Sequence, residues 1–446
     1  MRSLTWTSDK FGVTKKGERE TSKMNLGGMV KIKLTGLIFI AGFLLIVRGD
    51  ALKVTAQTAV QGREFHETYD LAPNGTINVT NTNGTIRVTG WNENQVKVDA
   101  IKRGRRPEEF ALVEIQVNAR PERIDIRTVY PRGRSTEVSV DYDLKVPRSS
   151  GLITLNATNG EITVTGPLAR VSARSTNGSV TAQDVTEMAN LASTNGSVRA
   201  TRIGGELRVS STNGEINVND VASRLIAQST NGPIRVIQVR DDATANSTNG
   251  SVRLERIGGR AIARSQNSSV LVNDAGGDVQ AESINDNVTI TNVRGRVVAN
   301  AVSGNIIVGK VEEGVRAIGI SGSVQISDAK GRIEVSTVSD SINLNNVESR
   351  GVTASSVSGS VRFTGKLSTD GVYNFNSHSS DVILLLPADS SFRLTARSIS
   401  GSINIEFPCQ LSSGIALKDI QCTVSKGGAD VRATSFSGSV NIRKSK

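Results

Sequence analysis

The feature that most constrains this chain is a repeat of fixed length. The tetrapeptide STNG, or a close variant, places an Asn at 159, 177, 195, 213, 231 and 249, a step of 18 residues each time. Asn267 and Asn285 keep the register, Ser303, Ser321 and Ser339 take it over, and Ser358 arrives one residue late. A period held over eleven positions from Asn159 to Ser339 means stacked supersecondary units, not a globular domain around one closed core.

The apolar positions say what the unit is. Three residues after each Asn stands a β-branched residue, as in Val180, Val198, Ile216, Ile234 and Val252, and two further on Ala182, Ala200, Val218, Val236 and Leu254 are apolar again. A step of two, with Arg199, Asn217, Arg235 and Arg253 between the pairs, is strand alternation. The next apolar column, Val185, Ile203, Val221 and Val239, lies three residues on, and that longer step predicts a bend. The spacing then restarts nine residues after the first arm, with Leu207, Val209 and Thr212 standing to one another as Val198, Ala200 and Ile203 do. Each coil therefore has two arms, one closed by Asn-Gly and the other by a pair such as Gly204-Gly205, residue types that accept positive φ at a corner. The expectation is an all-β chain: a parallel β-solenoid (β-helix) with 18-residue coils, two short strands per coil, preceded by a non-repeating β-rich N-terminal cap. At about 4.8 Å per coil, eleven coils make a rod of roughly 50 Å. Parallel stacking also puts Glu206, Arg224, Asp242, Arg260, Asp278 and Arg296 in one column of alternating sign, and stacks the asparagines into an amide ladder.

Three segments follow. Residues 1–56 read as an N-terminal extension and signal peptide, or signal anchor: Lys31 and Lys33 precede an uncharged run from Leu34 to Val47, short for a membrane span and right for a signal core. Small residues allow cleavage after Ala56 or Ala51, and Met24 or Met29 is a plausible start. Residues 64–150 read as the cap that a solenoid's first coil needs over its open edges, with strands at Thr76–Val79, Thr85–Val88, Gln95–Ala100, Val113–Val117, Arg123–Thr128 and Glu137–Val146, and a short helical turn opening at Pro107. Residues 151–446 read as the solenoid with its C-terminal capping coils. There the equivalents of the reference valine come later, at Val382, Ile403 and Val440, and the last interval holds the only two cysteines, Cys409 and Cys422. In an exported chain that spacing reads as a disulfide.

Taken together, the signal segment, the "TNTNGTIRVTGW" stretch before Trp91, the "VDYDLKVP" strand, the STNGSV coils passing into SVSGSV coils and the closing "ATSFSGSVNI" resemble the bacterial putative-adhesin family, a β-helical, exported domain of unknown function, over residues 64–446. The resemblance implies surface binding without a defined ligand, and it brings no catalytic residue.

Chemistry is sparse. Polysaccharide lyases share the β-helix, but their sites need clustered acids and a basic residue on long loops, whereas Asp184, Asp220, Asp274 and Asp328 stand at least two coils apart. His66 and His378 are the only histidines, and His378 falls in the column of Thr194, Ile320 and Val357, a corner. The expectation is a protein that is not an enzyme, needs no cofactor or metal, and serves as an exported surface or envelope adhesin or binding scaffold. A polysaccharide lyase-like carbohydrate-active enzyme and an envelope signalling component are the alternatives. The formal charge is +11. No aromatic residues interleave the arginines as nucleic-acid binding would want, so the expected partner is an envelope or extracellular one, with anionic polysaccharide as the candidate. Lys102, Arg103, Arg105, Arg106, Arg199, Arg235 and Arg253 are its candidate contacts. The expected location is the periplasm, cell surface or medium, or the membrane if residues 34–47 are retained as an anchor.

Overall fold

The structure, a computed structural model, describes residues 58–60, 62–411 and 418–445. The expected signal segment and its candidate cleavage sites lie outside them. The described residues form strands and one short 3-10 turn, Pro107–Leu112, at the place where the sequence opens a helical turn.

Each coil is two strands. Val198–Ile203 pairs in parallel with Ile216–Val221, residue against residue 18 later, and Leu207–Ser211 pairs in the same way with Leu225–Ser229. Repeated coil after coil, these pairings make two parallel sheets around one interior, a parallel β-solenoid. Val198, Ala200 and Ile203 point inward from the first sheet, and Leu207 and Val209 from the second, all 3% exposed or less. The middle inward position of the second sheet is mostly Ala, as in Ala227, Ala245, Ala263 and Ala281. Small side chains there leave room for the Val, Ile and Leu of the opposite sheet, large against small.

The two corners work differently from their sequence reading. The step of three is made by a non-glycine residue in the left-handed region, and the column runs Asp184 (φ 62°), Arg202 (55°), Asp220 (62°), Gln238 (65°), Arg256 (55°) and Asp274 (64°). Asp and Asn, frequent in this column, tolerate that conformation best among non-glycine residues. The glycines of STNG do not have positive φ. A Cβ on Gly196 would stand 2.2 Å from the carbonyl oxygen of Gly178, and one on Gly214 2.0 Å from that of Gly196. Glycine is required there because successive coils touch through their backbones. In the second arm Thr212 is exposed, and Ser211, 5% exposed, is the inward residue. The match of Thr212 to Ile203 therefore fails, for a reason given by hydrogen bonding below.

Both ends of the solenoid depart from chain order. The strands Thr76–Asn83 and Ile86–Trp91 are a coil already: Asn83 stacks against Asn159 and Ile86 against Ile162. On its other side the same coil carries Arg123–Val129 and Ser139–Pro147. The first coil of the sequence is thus second in space, and the repeat vanishes between residues 92 and 151 because the chain leaves to build the outer coil. Antiparallel strands then cover that coil's edges, Glu114–Arg120 on one arm and Gln95–Arg103 on the other. At the far end Val382 pairs with Val440, and Val440 with Ile403, so the last coil of the sequence slips in beneath the one before it. Cys409–Leu411 and Asp419–Val424 form an antiparallel pair that covers the edge of Phe392–Ser398. Cys409 and Cys422 are joined as a disulfide across that pair, their Cα atoms 5.6 Å apart.

Candidate functional site

The outward columns are the candidates for a site, and the Asn-Gly corner is the most ordered of them. The inward Ser of the STNG sequences clamps two coils, except at Ser229, whose hydroxyl is buried without a hydrogen-bond partner. Ser193 Oγ donates to the Gly178 carbonyl of the preceding coil and accepts from the Gly196 amide of its own, both at 2.9 Å. This double bond to backbone is why a serine is turned inward at 211 in place of Thr212. Outside it, the asparagine amides form the expected ladder, each Nδ2 donating to the Oδ1 of the preceding coil at 2.6–2.7 Å, from Asn285 back to Asn83 without a break.

Immediately before the ladder residue lies an outward column, and its character changes along the rod. In the early coils it is Thr176, Thr194, Thr212, Thr230 and Thr248, then Gln266. From Ile284 it turns apolar: Val302, Ile320, Val338 and Val357 follow, between 38% and 47% exposed, with Ile284 itself at 46%. Backbone bonds carry the same column on through His378, Phe436 and Ile399, the last two 45% and 41% exposed, and the His378 and Phe436 rings stack with centroids 4.7 Å apart. His378 is thereby at a corner, as its column required. The stripe is an exposed apolar surface that sequence reading passed over, although Ile320 and Val357 were visible as members of the column.

The cationic candidates separate. Lys102 is corrected: its side chain is fully buried and its Nζ donates to the Phe110 carbonyl at 3.0 Å. Burial pushes its ammonium down from the usual lysine range, against the pull of Glu114, so it cannot meet an external anion. In a strand next to charged neighbours it looked like part of a basic cluster, but alternation sends it inward between Arg103 and Ile101. Arg103 lies on Asp141 at 2.6 Å, Arg106 on Glu109 at 3.0 Å and Arg105 near Glu137 at 3.9 Å. Arg199, Arg235 and Arg253 are exposed on one column of the first sheet. Arg235 and Arg253 occupy successive coils, while Asn217 separates them from Arg199. Arg253 also pairs with Glu255.

The acidic columns are engaged by their neighbours. Arg202 beside Asp184, at 2.5 and 2.9 Å, holds that carboxyl below the usual range. In the column of alternating sign, Asp242 and Asp278 accept from the backbone amides of Arg260 and Arg296 at 2.9 Å, and the only side-chain approach there is Arg260 to Asp242 at 3.9 Å. The register is as expected, but Asp242 and Asp278 take backbone donors, and Glu206 lies on Arg208 of its own coil at 2.7 Å. A shallow groove along the second sheet is lined by Gln228, Asn246, Arg264 and Glu282 beside Thr212 and Thr230. Burial disfavours the charge of Glu282, yet Gln280, Arg264 and Asn300 together hold its carboxyl below the usual range. Near the N-terminal end His66 Nδ1 lies 2.8 Å from Asp99 on an exposed strand, and that hydrogen bond raises the imidazole's pKa. Among the described residues there is no group of three or more His, Cys, Asp and Glu that could hold a metal ion. No described helix is long and apolar enough to cross a membrane.

No curated protein matches the chain. Among solved structures it is similar to a putative cell adhesion protein from Clostridium sporogenes, at 10% identity over 85% of this chain and 99% of that one with a TM-score of 0.18. It is also similar to a putative adhesin from Bacteroides fragilis, at 14% identity over 65% of this chain and 96% of that one with a TM-score of 0.24. Likenesses this distant carry no argument about function. The family model described as Toastrack DUF4097 matches twice, over residues 70–269 and 261–443, together taking in both out-of-order ends and every coil between them. The chain belongs to the Toastrack DUF4097 family.

Proposed function

We propose that this protein is an exported, non-catalytic binding rod of the adhesin type, which meets an extended envelope or extracellular partner along its length. The observation that supports the reading is the continuity of its outward columns: the same surface position returns every coil at about 4.8 Å, as the unbroken Asn83 to Asn285 ladder illustrates. Such a surface offers many equivalent shallow contacts in a row. An extended polymer engages it by summing weak contacts, so binding is broad and additive. An acidic polysaccharide is the proposed partner class, held by Arg199, Arg235 and Arg253, with Arg105 as an outlying contact. Export rests on the uncharged run from Leu34 to Val47 behind Lys31 and Lys33.

The test is co-sedimentation of the purified chain with acidic polysaccharides over a series of salt concentrations, with new reducing and unsaturated ends assayed in the same tubes. Retention that falls with salt, and falls several-fold with a shallower salt dependence when Arg199, Arg235 and Arg253 are changed to Gln, is the expected result. Metal-stimulated cleavage would instead establish the lyase alternative. No retention on any polysaccharide or envelope fraction would sink the adhesive reading.

A further inference from the structure

The apolar corner stripe is not explained by a polar rod that binds polysaccharide. It continues through eight successive coils, from Ile284 to Ile399, a length of roughly 34 Å at the coil spacing. At the exposures observed its side chains, with the adjoining Ile318, present on the order of 700 Å², more than a monomer usually leaves in one patch and close to the ~800 Å² per partner of a standard stable interface. We propose that this stripe is the face through which two copies of the chain associate, side by side and antiparallel.

A ridge that repeats once per coil fits a partner that repeats at the same spacing, and a second copy has the same ridge at the same pitch. The flanking charges choose the orientation. Two residues before each stripe residue lies an outward column of the second sheet that reads Glu282, Asn300, Ile318, Ser336, Ser355, Asn376, Thr434 and Arg397. Over the length of the stripe it is uncharged except at Glu282 and Arg397, which have opposite sign; one coil before the stripe the column continues into Arg264, whose Nε lies 2.9 Å from the Glu282 carboxylate. A two-fold axis lying across the stripe, between Val338 and Val357, reverses the rod direction and keeps this column on the same side. Glu282 of each copy then faces Arg397 of the other, and the contact occurs twice, as an isologous interface requires. A two-fold axis parallel to the rod puts the two charged columns on opposite sides and leaves both pairs unmade.

Sedimentation equilibrium of the full chain tests this directly. The expected result is a reversible dimer. Changing the central pair, Val338→Lys with Val357→Lys, is expected to weaken it by at least about 100-fold, because four cations then crowd the axis in a desolvated contact. Both side chains are outward, so the thermal unfolding curve, recorded at a concentration where the parent is monomeric, is expected not to move. Glu282→Arg and Arg397→Glu, each alone, put like charges face to face at both ends and are expected to weaken self-association about 10-fold. Mixing those two variants is expected to restore it, since the introduced arginine meets the introduced glutamate at one end and native Arg397 meets native Glu282 at the other. A chain that stays monomeric at about 100 µM, or a dimer indifferent to the central lysines, would overturn the proposal. Failure of the mixture to recover would overturn the antiparallel orientation.

Discussion

The early and late coils share a backbone and differ at one corner. In both, a buried hydroxyl bonds the glycine carbonyl of the coil beneath, as Ser193 does with Gly178 and Thr337 with Gly322. In both, that glycine leaves no room for a Cβ, whether at Gly196 or at Gly322, where the nearest carbonyl oxygen would be 2.1 Å away. The early corner then presents Thr and a bonded Asn ladder, while the late corner presents Val or Ile and an unlinked Ser. The handover falls at Ala301 and Gly319, where the inward hydroxyl is also missing. The stack is specified by its inward positions and by close backbone contact. The outward corner position is free of those demands, so a residue class maintained there over many coils points to something outside the chain.

If the halves are equivalent inside, an inward charge should be equally costly in either. Ile216→Asp and Ile342→Asp, both at positions with no exposure, are each expected to lose more than about 4 kcal/mol, by burying a carboxylate with no partner. Chemical denaturation should show the two variants within about 1 kcal/mol of each other. A difference of several kcal/mol would mean that one half is held by something other than its core.

The ends offer the next largest effect, and it should fall on the late half alone. The Cys409–Cys422 link pins the strand Asp419–Val424 that covers the edge of Phe392–Ser398. Reduction is expected to remove about 3 kcal/mol of loop-closure stabilisation. Amide exchange should accelerate in the terminal coil and leave Val198–Ile203 unchanged. Uniform acceleration along the rod would show that the ends are not independent of the middle.

These particulars also show what the sequence made legible. Where one residue position answers to one physical demand at every coil, as with Val198, Ile216 and Ile234 inward or the asparagines in their ladder, the period alone places it. The demand on glycine was read as conformational when it is steric, because Asn-Gly is the same dipeptide in either case; the positive φ fell on Asp220, a residue type that tolerates it, and also on Arg202, whose identity gives no sign of it. The excursions at both ends were invisible to periodicity, since stacking Val440 between Val382 and Ile403 is a choice of three dimensions. Lys102 was misplaced because a run of basic residues was read without its strand alternation. The apolar corner was missed because Ile284, Val302 and Val338 stand one or two 18-residue coils apart and look like scattered surface residues until the coils are stacked.

A third comparison concerns the ladder itself. Asn213→Ala breaks two amide bonds, the one it donates to Asn195 and the one it accepts from Asn231. On an exposed edge that is expected to cost about 1 kcal/mol. Ser321→Ala, at the same position in the late half, breaks no ladder bond among the described residues and is expected to be silent within about 0.5 kcal/mol. Equal losses in paired melting curves would show that the amide ladder contributes nothing beyond the turn.

The smallest effect on stability is the most informative about the corner. Thr212→Val and Val338→Thr exchange the two halves' residues at one outward position, and neither touches the core or the clamp. At a concentration where the parent is monomeric, both are expected to leave the unfolding midpoint within about 0.5 kcal/mol of the parent. Their effects on the surface should differ. Val338→Thr puts a hydroxyl beside the proposed two-fold axis, where it lacks a partner across the contact, and is expected to weaken self-association by roughly 10-fold. Thr212→Val adds an isolated apolar residue four coils from the stripe and is expected to leave association unchanged, because a single exposed valine is ordinary on any surface. If the two substitutions altered association alike, position along the rod would not matter, and the contrast between the halves would be one of composition alone.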